Sequence, residues 1–368
     1  MKFSVSREEF LKPLQLVVGV VERRQTLPIL ANVLISLKSG RLALTGTDLE
    51  VEIIGQLSLE TFSDEGEITV PARKLMDICR SLPEGSELTL TLAEDSGRML
   101  VTSGRSRFML STLPASEFPS VDDGPGNTEF NIEQLVFKHL LDSTAFAMAQ
   151  QDVRYYLNGM LLEVGDGRVR AVSTDGHRLA MKDASLPMVQ SSPIQAIVPR
   201  KAVLELSRLL GGEGVVDVVL GNNHIRVTTP DFRFTSKLVD GAYPDYERVL
   251  PKGGDKLLTG NREELRQAFS RTSILSNEKY RGVRLLLGEG LLTLTANNPE
   301  QEEAQEEVVV NYNGGDLEVG FNVGYIIDVL NVLKGQDVSF HLSDANSSAL
   351  MQDPADATAV YVVMPMRL

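Results

Sequence analysis

Ile68-Thr69-Val70-Pro71-Ala72-Arg73-Lys74 joins the pattern of a β-strand to the start of a helix, and this join decides the fold because it recurs. It returns as Ala196-Ile197-Val198-Pro199-Arg200-Lys201-Ala202 and, more loosely, as Glu318-Val319-Gly320-Phe321-Asn322-Val323. The spacing is 128 residues from Pro71 to Pro199 and 123 residues from Pro199 to Asn322. The chain therefore repeats a unit much larger than a single supersecondary motif.

A second landmark recurs in step with the first. Leu44-Thr45-Gly46-Thr47-Asp48-Leu49 becomes Val172-Ser173-Thr174-Asp175-Gly176-His177 and then Leu294-Thr295-Ala296-Asn297-Asn298-Pro299. Two unrelated landmarks with one period predict three tandem domains of about 120 residues. We place these domains at residues 1–125, 128–250 and 251–368. Repetition of a whole domain is typical of proteins that form an extended binding surface or a ring, because a single active site needs only one copy of a domain.

Composition points to an intracellular globular protein without a membrane segment. Hydrophobic residues make up 42% of the 368 residues, and no apolar run approaches the roughly 18 residues of a membrane helix. The start, Met1–Ser6, reads as a first strand rather than a signal peptide. The single cysteine, Cys79, excludes a disulfide framework and predicts a buried, inert thiol in a reducing cytoplasm. We expect a cytoplasmic protein with no cofactor and no metal.

The net charge of −14 argues against tight, static binding of nucleic acid, which is typical of basic domains. An acidic body can still carry a local basic lining, so the positions of lysines and arginines matter more than their sum. In this chain basic residues concentrate on the predicted helices and on the loop around Arg24. They are Arg7, Lys12, Arg73, Lys74, Lys138, Arg200, Lys201, Arg262 and Arg266. This common placement favours a lining with a shared partner.

Each repeat is predicted to contain two units of strand, helix and three strands, an α+β plan with both helices on one face of antiparallel sheets. The first helices carry capping boxes at Ser6/Glu9, Asn131/Gln134 and Asn261/Glu264. For the second helices, Pro71 and Pro199 suit the first turn, and Asn322 replaces them in the third repeat. The apolar stripes of the first helices are predicted at Phe10, Leu14, Val17 and Val21, at Leu135, Leu140, Thr144 and Ala147, and at Leu265, Phe269 and Ile274.

The sequence contains no catalytic constellation of a familiar kind. Walker, nucleophile-elbow and dinucleotide-binding motifs are absent, and the four histidines lack metal-ligand spacing. The strongest candidate is an Asp175–His177 pair. Its counterparts in the other repeats lack the histidine, which favours a turn or the rim of a binding site.

Five segments of the chain resemble the bacterial sliding clamp family, the β subunits of DNA polymerase III. The segments are Leu44–Glu50, Gln151–Met160, Ser173–Leu179, Phe234–Tyr246 and Tyr361–Leu368. The resemblance extends over the whole chain. It implies three domains of the DNA-clamp fold and a head-to-tail homodimer that closes a ring around duplex DNA, with helices lining the hole. It also implies a non-catalytic processivity factor that slides on DNA and tethers the replicative polymerase, the clamp loader and repair proteins.

The resemblance further implies two kinds of binding site. Partners insert a short linear peptide with hydrophobic anchors into a groove between the second and third domains. The groove residues are Leu157, Thr174, Gly176, His177, Arg178, Leu179, Pro244, Arg248, Val249, Val362, Met364, Pro365 and Met366. The residues implied to contact DNA are Arg24, Arg73, Gln150, Gln151, Tyr155, Tyr156 and Lys201. One of the two adjacent tyrosines is expected to pack rather than to stack on bases.

The dimer interface is predicted from charge and edge strands. The strand Arg105–Leu110 ends the first repeat as an exposed edge, which proteins rarely leave unprotected. It carries two arginines, whereas the third repeat carries a cluster of glutamates from Glu300 to Glu307 next to the apolar pair Ile274-Leu275. Complementary charge around an apolar centre is the anatomy of a specific interface. The predicted interface residues are Lys74, Arg105, Arg107, Phe108, Leu110, Ile274, Leu275, Glu300 and Glu302.

Two other classes of function compete with a clamp. One is a hydrolase that uses Asp175 and His177, which a His177→Ala substitution would inactivate. The other is a scaffold that binds no nucleic acid, which topological retention on circular DNA would exclude.

Overall fold

The computed structural model describes residues 1–21, 27–59, 62–93, 97–121, 124–187 and 193–368. These residues form two compact units, Met1–Leu135 with Leu204–Leu238 and Val136–Val203 with Val239–Leu368. The units do not coincide with the three repeats because two sheets each join one repeat to the next.

The secondary structure follows the predicted plan of two strand-helix-three-strand units per repeat. The first repeat contains β1 (Lys2–Ser6), α1 (Arg7–Val18), β2 (Asn32–Lys38), β3 (Arg41–Thr47), β4 (Val51–Ser58), a short additional β5 (Phe62–Asp64), β6 (Gly66–Pro71), α2 (Ala72–Ser81), β7 (Glu87–Ala93), β8 (Arg98–Ser103) and β9 (Ser106–Leu110).

The second and third repeats have the same order of elements. The second contains β10 (Gly126–Glu133), α3 (Gln134–Asp142), β11 (Gly159–Gly165), β12 (Arg168–Thr174), β13 (Arg178–Ser185), β14 (Ile194–Pro199), α4 (Arg200–Leu209), β15 (Val215–Gly221), β16 (His224–Thr228) and β17 (Phe232–Lys237). The third contains β18 (Lys256–Asn261), α5 (Arg262–Thr272), β19 (Gly282–Gly288), β20 (Leu291–Asn297), β21 (Glu303–Val309), β22 (Leu317–Asn322), α6 (Val323–Val332), β23 (Asp337–Leu342), β24 (Ala349–Asp353) and β25 (Asp356–Val363).

All strand pairs are antiparallel, and each unit holds one eight-stranded sheet. In the first unit that sheet has the order β10-β15-β16-β17-β4-β3-β2-β6, and a five-stranded sheet has the order β5-β1-β7-β8-β9. In the second unit the orders are β14-β11-β12-β13-β25-β24-β23-β18 and β21-β20-β19-β22. Strand pairs β4–β17 and β13–β25 therefore join successive repeats.

Two of the three predicted helix caps are confirmed. The Ser6 hydroxyl accepts a hydrogen bond from the Glu9 amide at 3.2 Å, and the Asn261 side chain accepts one from the Glu264 amide at 3.0 Å. The prediction for Asn131 is wrong. Pairing of β10 with β15 continues to Glu133, so Asn131 lies inside a strand and α3 begins only at Gln134.

The starts of the second helices differ slightly from the prediction. Pro71 and Pro199 are the last residues of β6 and β14 and lie just before the helices rather than in their first turns. Both residues are still paired in their sheets, with Asn32 and Gly159, which holds them in extended conformation. Asn322 caps α6 as predicted, since its side chain accepts hydrogen bonds from the amides of the next turn.

The helices bury the expected stripe in the first repeat, where Phe10, Leu14 and Val17 are fully buried. In the second repeat the prediction for Leu135 is wrong, because its side chain is 57% exposed and Phe137 and Leu141 occupy the core. Phe137, Leu140 and Leu141 are spaced i, i+3 and i+4, the pattern of one helix face, and Leu135 lies on the other side. In the third repeat the prediction for Ile274 is also wrong, because this residue follows α5 and is 75% exposed. The thiol of Cys79 is buried, and burial raises its pKa to about 12, which makes it a poor nucleophile.

Candidate functional site

The candidate peptide groove lies in the second unit, on the sheet face formed by β12, β13 and β25. The register pairs Leu179 with Val362 and Arg178 with Val363, which places the predicted 174–179 segment beside the end of the last strand. Leu179 and Val362 belong to one buried apolar cluster together with residues that we did not predict. The cluster contains Leu161, Val172, Leu179, Met181, Ile197, Tyr246 and Val362, with Tyr156, Val239, Tyr243, Leu250 and Val360 packed against it.

The missed members of this cluster share one signal. On β12 and β13, Val172 and Met181 lie two residues from Thr174 and Leu179, so the alternation of a strand puts them on the same face. That alternation is visible in the sequence. The pairing with β25 is not, because it joins segments that are far apart in the chain.

The turn from Thr174 to Arg178 is held by its own side chains. The Thr174 hydroxyl donates to the Arg178 carbonyl at 2.6 Å, and the Asp175 carboxylate accepts the amides of His177 and Arg178 at 2.9 and 3.1 Å. Gly176 has φ +87°, a conformation that glycine adopts without strain, and its counterpart Leu49 in the first repeat has φ +77°. The hydrogen bonds of Asp175 thus maintain the turn and leave the His177 imidazole without a role as its catalytic partner.

The same turn occurs in the first repeat with other chemistry. The Thr47 hydroxyl donates to the Val51 carbonyl at 2.9 Å, and Asp48 accepts the amides of Glu50 and Val51. Where β13 presents Leu179, β4 presents Glu52, which is only 4% exposed and accepts a hydrogen bond from the Val121 amide at 3.2 Å. The strand pair β4–β17, which connects the first two repeats, therefore carries a buried carboxylate. The strand pair β13–β25, which connects the second and third repeats, carries an apolar side chain at the same position.

Arg178 connects the turn to α6. Its guanidinium donates to Asp175, to Asp328 and to the Phe146 carbonyl, and its central carbon lies 4.4 Å from the centroid of the Tyr325 ring. These contacts hold the Arg178 side chain in one position, and they stiffen the rim of the candidate groove.

The C-terminal tail, residues 364–368, continues from β25 along the groove. The Met364 amide donates to the His177 carbonyl at 2.9 Å, and the Met366 amide donates to the Gly320 carbonyl at 2.8 Å. Leu368 packs over Gly282 and Gly320, where any Cβ would collide with the tail. A surface cavity of about 980 Å³ borders the far side of the tail, lined in part by Tyr280 and Leu286. Met364, Pro365 and Met366 are partly exposed and available to a ligand.

The loop of residues 243–250 supplies the remaining predicted groove residues. Pro244 and Arg248 are exposed, whereas Tyr246 between them is 5% exposed. Val249 is partly exposed and its amide donates to the Tyr246 carbonyl at 3.0 Å. Leu157 is buried in the short helical turn Tyr155–Asn158.

The residues implied to contact DNA divide into exposed and structural positions. Gln150 and Gln151 are exposed, and Gln151 has φ +54°. Tyr155 is 56% exposed, whereas Tyr156 packs against the apolar cluster, so the two tyrosines differ as predicted. Arg24 lies outside the described residues. Lys201 is partly exposed at the start of α4.

Several basic residues of the helices donate hydrogen bonds to backbone carbonyl groups. The exposed Arg73 donates to the Val21 carbonyl at 2.8 Å, and Arg200, the first residue of α4, donates to the Met148 carbonyl at 3.3 Å. Arg7 and Arg262, the first residues of α1 and α5, donate to carbonyls at the ends of α2 and α6. The contacts of Arg7 and Arg262 stabilise the C-terminal ends of α2 and α6. A shared ligand is therefore only part of the reason for the basic stripe.

Six of the nine predicted interface residues are exposed, and the other three are Phe108, Leu110 and Leu275. Lys74, Arg105 and Arg107 are exposed in the first unit, while Leu110 is 6% exposed and already buried in its own chain. In the second unit Ile274 is 75% exposed, Leu275 is partly exposed, and Glu300 and Glu302 are both exposed.

The acidic cluster of the third repeat is not uniformly free for a partner. Glu306 accepts two hydrogen bonds from Arg271 at 2.6 and 3.0 Å, and this arginine lowers the pKa of the Glu306 carboxyl. In the first unit Phe108 is partly exposed on edge strand β9.

Neither metal nor membrane chemistry emerges from the described residues. In the ranges that the structure covers, no three His, Cys, Asp or Glu side chains gather as metal ligands. None of the helices in those ranges is long and apolar enough to cross a membrane. The fold and the groove define a three-repeat binding protein.

Comparison with known proteins assigns the family. The models of the DNA polymerase III beta subunit match residues 1–122 (N-terminal domain), 131–245 (central domain) and 247–367 (C-terminal domain). The beta sliding clamp of Pseudomonas putida is 61% identical over 369 residues, covering 100% of both chains. The crystal structure of the DNA polymerase III subunit beta from Pseudomonas aeruginosa matches with a TM-score of 0.97 at 61% identity over 100% of both chains. A structure of that clamp bound to griselimycin matches equally well, with a TM-score of 0.97, 61% identity and 100% coverage of both chains.

The chain belongs to the family of DNA polymerase III beta subunits, the sliding clamps. These are non-catalytic processivity subunits of a DNA polymerase, so the hydrolase alternative is excluded and the resemblance seen in the sequence is confirmed.

Proposed function

We propose that two copies of the chain close head to tail into a ring around duplex DNA, and that the groove of each copy tethers the replicative polymerase and other partners by short peptides. The domains of each copy are proposed at residues 1–125, 128–250 and 251–368. The observation that carries the proposal is the way the repeats join.

The two joins within the chain have the same register. In the first, β4 pairs with β17 so that Val51 lies opposite Ser236 and Gly55 opposite Phe232. In the second, β13 pairs with β25 so that Arg178 lies opposite Val363 and Lys182 opposite Ala359. Every position of the second join lies 127 residues after its counterpart in the first, on both strands. One geometry is thus used twice.

The first and third repeats each contain one strand that corresponds to one half of such a connecting strand pair. The counterpart of β4 and β13 in the third repeat is β21, and the counterpart of β17 and β25 in the first repeat is β9. Both are edge strands of their sheets. Unpaired edges invite pairing with another chain. A heterologous contact between β9 of one copy and β21 of a second closes a ring when the rotation is right.

Hairpin positions predict the register of this third join. The first pairs after the turn, Thr47 with Glu52 and Asn297 with Glu303, make Glu303 the counterpart of Glu52. The pairs Thr102 with Arg107 and Thr228 with Arg233 make Arg107 the counterpart of Arg233. Arg233 lies opposite Ile54, so Arg107 is proposed to lie opposite Gln305 of the partner subunit and diagonal to the partner's Glu303. Long side chains bridge such diagonal positions.

A ring accounts for an acidic DNA-binding protein. Retention by topology needs few phosphate contacts, and few contacts keep binding salt-sensitive and permit sliding. The exposed Gln150, Gln151 and Tyr155 are proposed, together with Arg24, Arg73, Tyr156 and Lys201, as the residues that touch DNA.

The groove is proposed to bind peptides with apolar anchors. A buried apolar floor beside partly exposed Met364 and Met366 offers adaptable contacts, because methionine side chains adjust to different partners. A tethered polymerase then rebinds the primer end as an intramolecular event. Griselimycin and fluorescein-labelled peptides covering the catalytic polymerase subunit are suitable probes of the groove.

Retention on circular DNA tests the ring. Protein loaded by the clamp loader onto a nicked circular plasmid is expected to co-elute with the DNA in gel filtration at high salt. Cutting the plasmid once is expected to release the protein, because it slides off the ends. Equal retention on circular and linear DNA would contradict encirclement, and no retention on either would favour a scaffold without nucleic acid.

Replacing Arg24 and Gln151 by Ala is expected to impair loading while the dimer stays folded. The loss of one phosphate contact at Arg24 reduces the slope of log binding constant against log salt by about one unit. Arg98→Ala, an exposed arginine on strand β8, serves as the matched control and is expected to leave the slope unchanged. Titrations of DNA at several salt concentrations measure both slopes. Identical slopes for all three proteins would remove Arg24 from the lining.

A further inference from the structure

A row of polar side chains crosses the sheet of the second unit next to the groove. The register of β11, β12 and β13 places Glu163, Arg170 and Asp183 side by side. Arg170 is only 8% exposed, and its guanidinium donates to the two carboxylate oxygens of Asp183 at 2.6 and 2.8 Å. Such a two-point contact fixes the plane of the guanidinium as well as its position.

The third donor of Arg170 reaches Tyr246. The remaining terminal nitrogen of Arg170 donates to the Tyr246 hydroxyl at 3.2 Å, and that hydroxyl donates to Glu163 at 3.4 Å. Burial raises the pKa of Tyr246 above its ordinary value, an effect that the bond from Arg170 reduces. The hydroxyl stays protonated and can serve as acceptor and donor at once.

The Tyr246 side chain lies where the polar row meets the apolar cluster on one face of the sheet. Strand alternation puts Leu161, Val172 and Met181 on the same face as the polar row, two residues further along each strand. All three belong to the apolar cluster under the groove, and so does the Tyr246 ring. The ring therefore packs on the groove floor while its hydroxyl is held by the row behind it.

The residues on either side of Tyr246 form a wall of the groove. Tyr246 begins the helical turn Tyr246–Arg248, and its carbonyl accepts the Val249 amide at 3.0 Å. Pro244, Arg248 and Val249, all assigned to the groove, have exposed or partly exposed side chains. Tyr246 is thus the buried residue among the exposed positions of residues 244–248, while Tyr243 and Leu250 pack against the same cluster at the two ends of the loop.

We infer that Arg170, fixed by Asp183, is a positioning residue for peptide binding: it sets the place of Tyr246 and thereby of the groove wall formed by residues 244–249. This inference rests on the proposed peptide-binding function of the groove. Arg170 contacts none of the residues that we assign to ligand contact. It reaches the loop through the Tyr246 hydroxyl and through Glu247, whose carboxylate lies 3.9 Å from the guanidinium.

The opposite face of β13, the strand that carries Asp183, supplies a matched control. Lys182 is 7% exposed and pairs with Asp356 at 2.7 Å and with the Thr358 hydroxyl at 3.0 Å. Its ion pair with Asp356 links β13 to β25, yet the Lys182 side chain points away from the groove face, because neighbouring residues of a strand alternate. Lys182→Met is expected to lower stability without loosening the loop.

The test compares Tyr246→Phe, Arg170→Lys and Lys182→Met with the unchanged full-length protein. Affinity for griselimycin is measured by calorimetry, the melting temperature by scanning calorimetry, and amide exchange of residues 243–250 by mass spectrometry. Tyr246→Phe keeps the ring and removes only the hydroxyl, so we expect the Kd to rise about tenfold, the factor for one lost hydrogen bond of ordinary strength. Exchange in the loop is expected to accelerate in Tyr246→Phe and Arg170→Lys but not in Lys182→Met.

The outcomes separate the inference from the proposed function. Unchanged affinity and unchanged loop exchange in both Tyr246→Phe and Arg170→Lys would overturn the role of Arg170. Equal weakening in Lys182→Met would also overturn it, since the effect would then follow general stability. If the unchanged protein fails to bind griselimycin, the assignment of that probe to the groove is wrong, and loop exchange alone still decides whether Arg170 positions the loop.

Discussion

Replacing Ile274 and Leu275 by Ala is expected to convert the protein from dimer to monomer. Ile274 is 75% exposed in the isolated chain, at the helical turn Ser273–Leu275 that follows α5 in the repeat carrying edge strand β21. In the proposed ring we expect the partner subunit to cover this apolar side chain. Removing buried methyl groups costs about 2 kcal/mol or more per side chain. Two substitutions at each of two interfaces are therefore expected to raise the dissociation constant of the ring more than about a thousandfold.

Sedimentation velocity at nanomolar to micromolar concentration measures this shift. Leu257→Ala serves as the control, because Leu257 is another exposed apolar residue of the same repeat, 45% exposed on strand β18. The control is expected to remain dimeric and both variants to melt as folded proteins. A double variant that stays dimeric at nanomolar concentration would place the interface elsewhere.

Removing the tail, residues 364–368, is expected to abolish peptide binding while the fold and the dimer persist. Val363 is fully buried and ends β25, so truncation after this residue spares the sheet. The tail carries Met364, Pro365 and Met366, three of the proposed groove residues, and contacts at the centre of such sites contribute about 2 kcal/mol or more each. We expect fluorescence anisotropy to show at least a hundredfold loss of affinity, since each 1.4 kcal/mol is about tenfold.

A shorter truncation provides the control for this experiment. Removing only Arg367 and Leu368 keeps the three groove residues and loses the contact of Leu368 with Gly282 and Gly320. This variant is expected to keep most of its affinity. Normal binding by the longer truncation would show that the groove does not use the tail.

The order of elements could be predicted from the sequence because each signal is local. The predicted caps Ser6 and Asn261 directly precede α1 and α5, so the starts of these two helices could be read from the sequence. The same local reasoning failed at Asn131, where a capping pattern occurs inside a strand. There a pairing with β15 that the sequence does not reveal extends the strand to Glu133.

Only the parts of the candidate site that lie within one continuous segment could be predicted from the sequence. The turn Thr174–Arg178 and the apolar end of the chain are recognisable as they stand. The polar row of Glu163, Arg170 and Asp183, by contrast, exists only once three strands take their register, and Tyr246 joins it from a distant loop. In the same way, Arg7 and Arg262 are indistinguishable in sequence from basic residues that face a ligand, although they hold helix ends.

The joins between repeats also govern how the chain can fold during synthesis. Strand β4 ends at Ser58, but its neighbour β17 begins only at Phe232. At about 5–20 residues per second, a ribosome takes on the order of ten to thirty seconds to supply it. During that interval β4 is an open edge on a growing chain, and the same delay recurs for β13 until β25 is made. Chaperone demand on the nascent chain is therefore expected to peak before the last strand of each following repeat emerges.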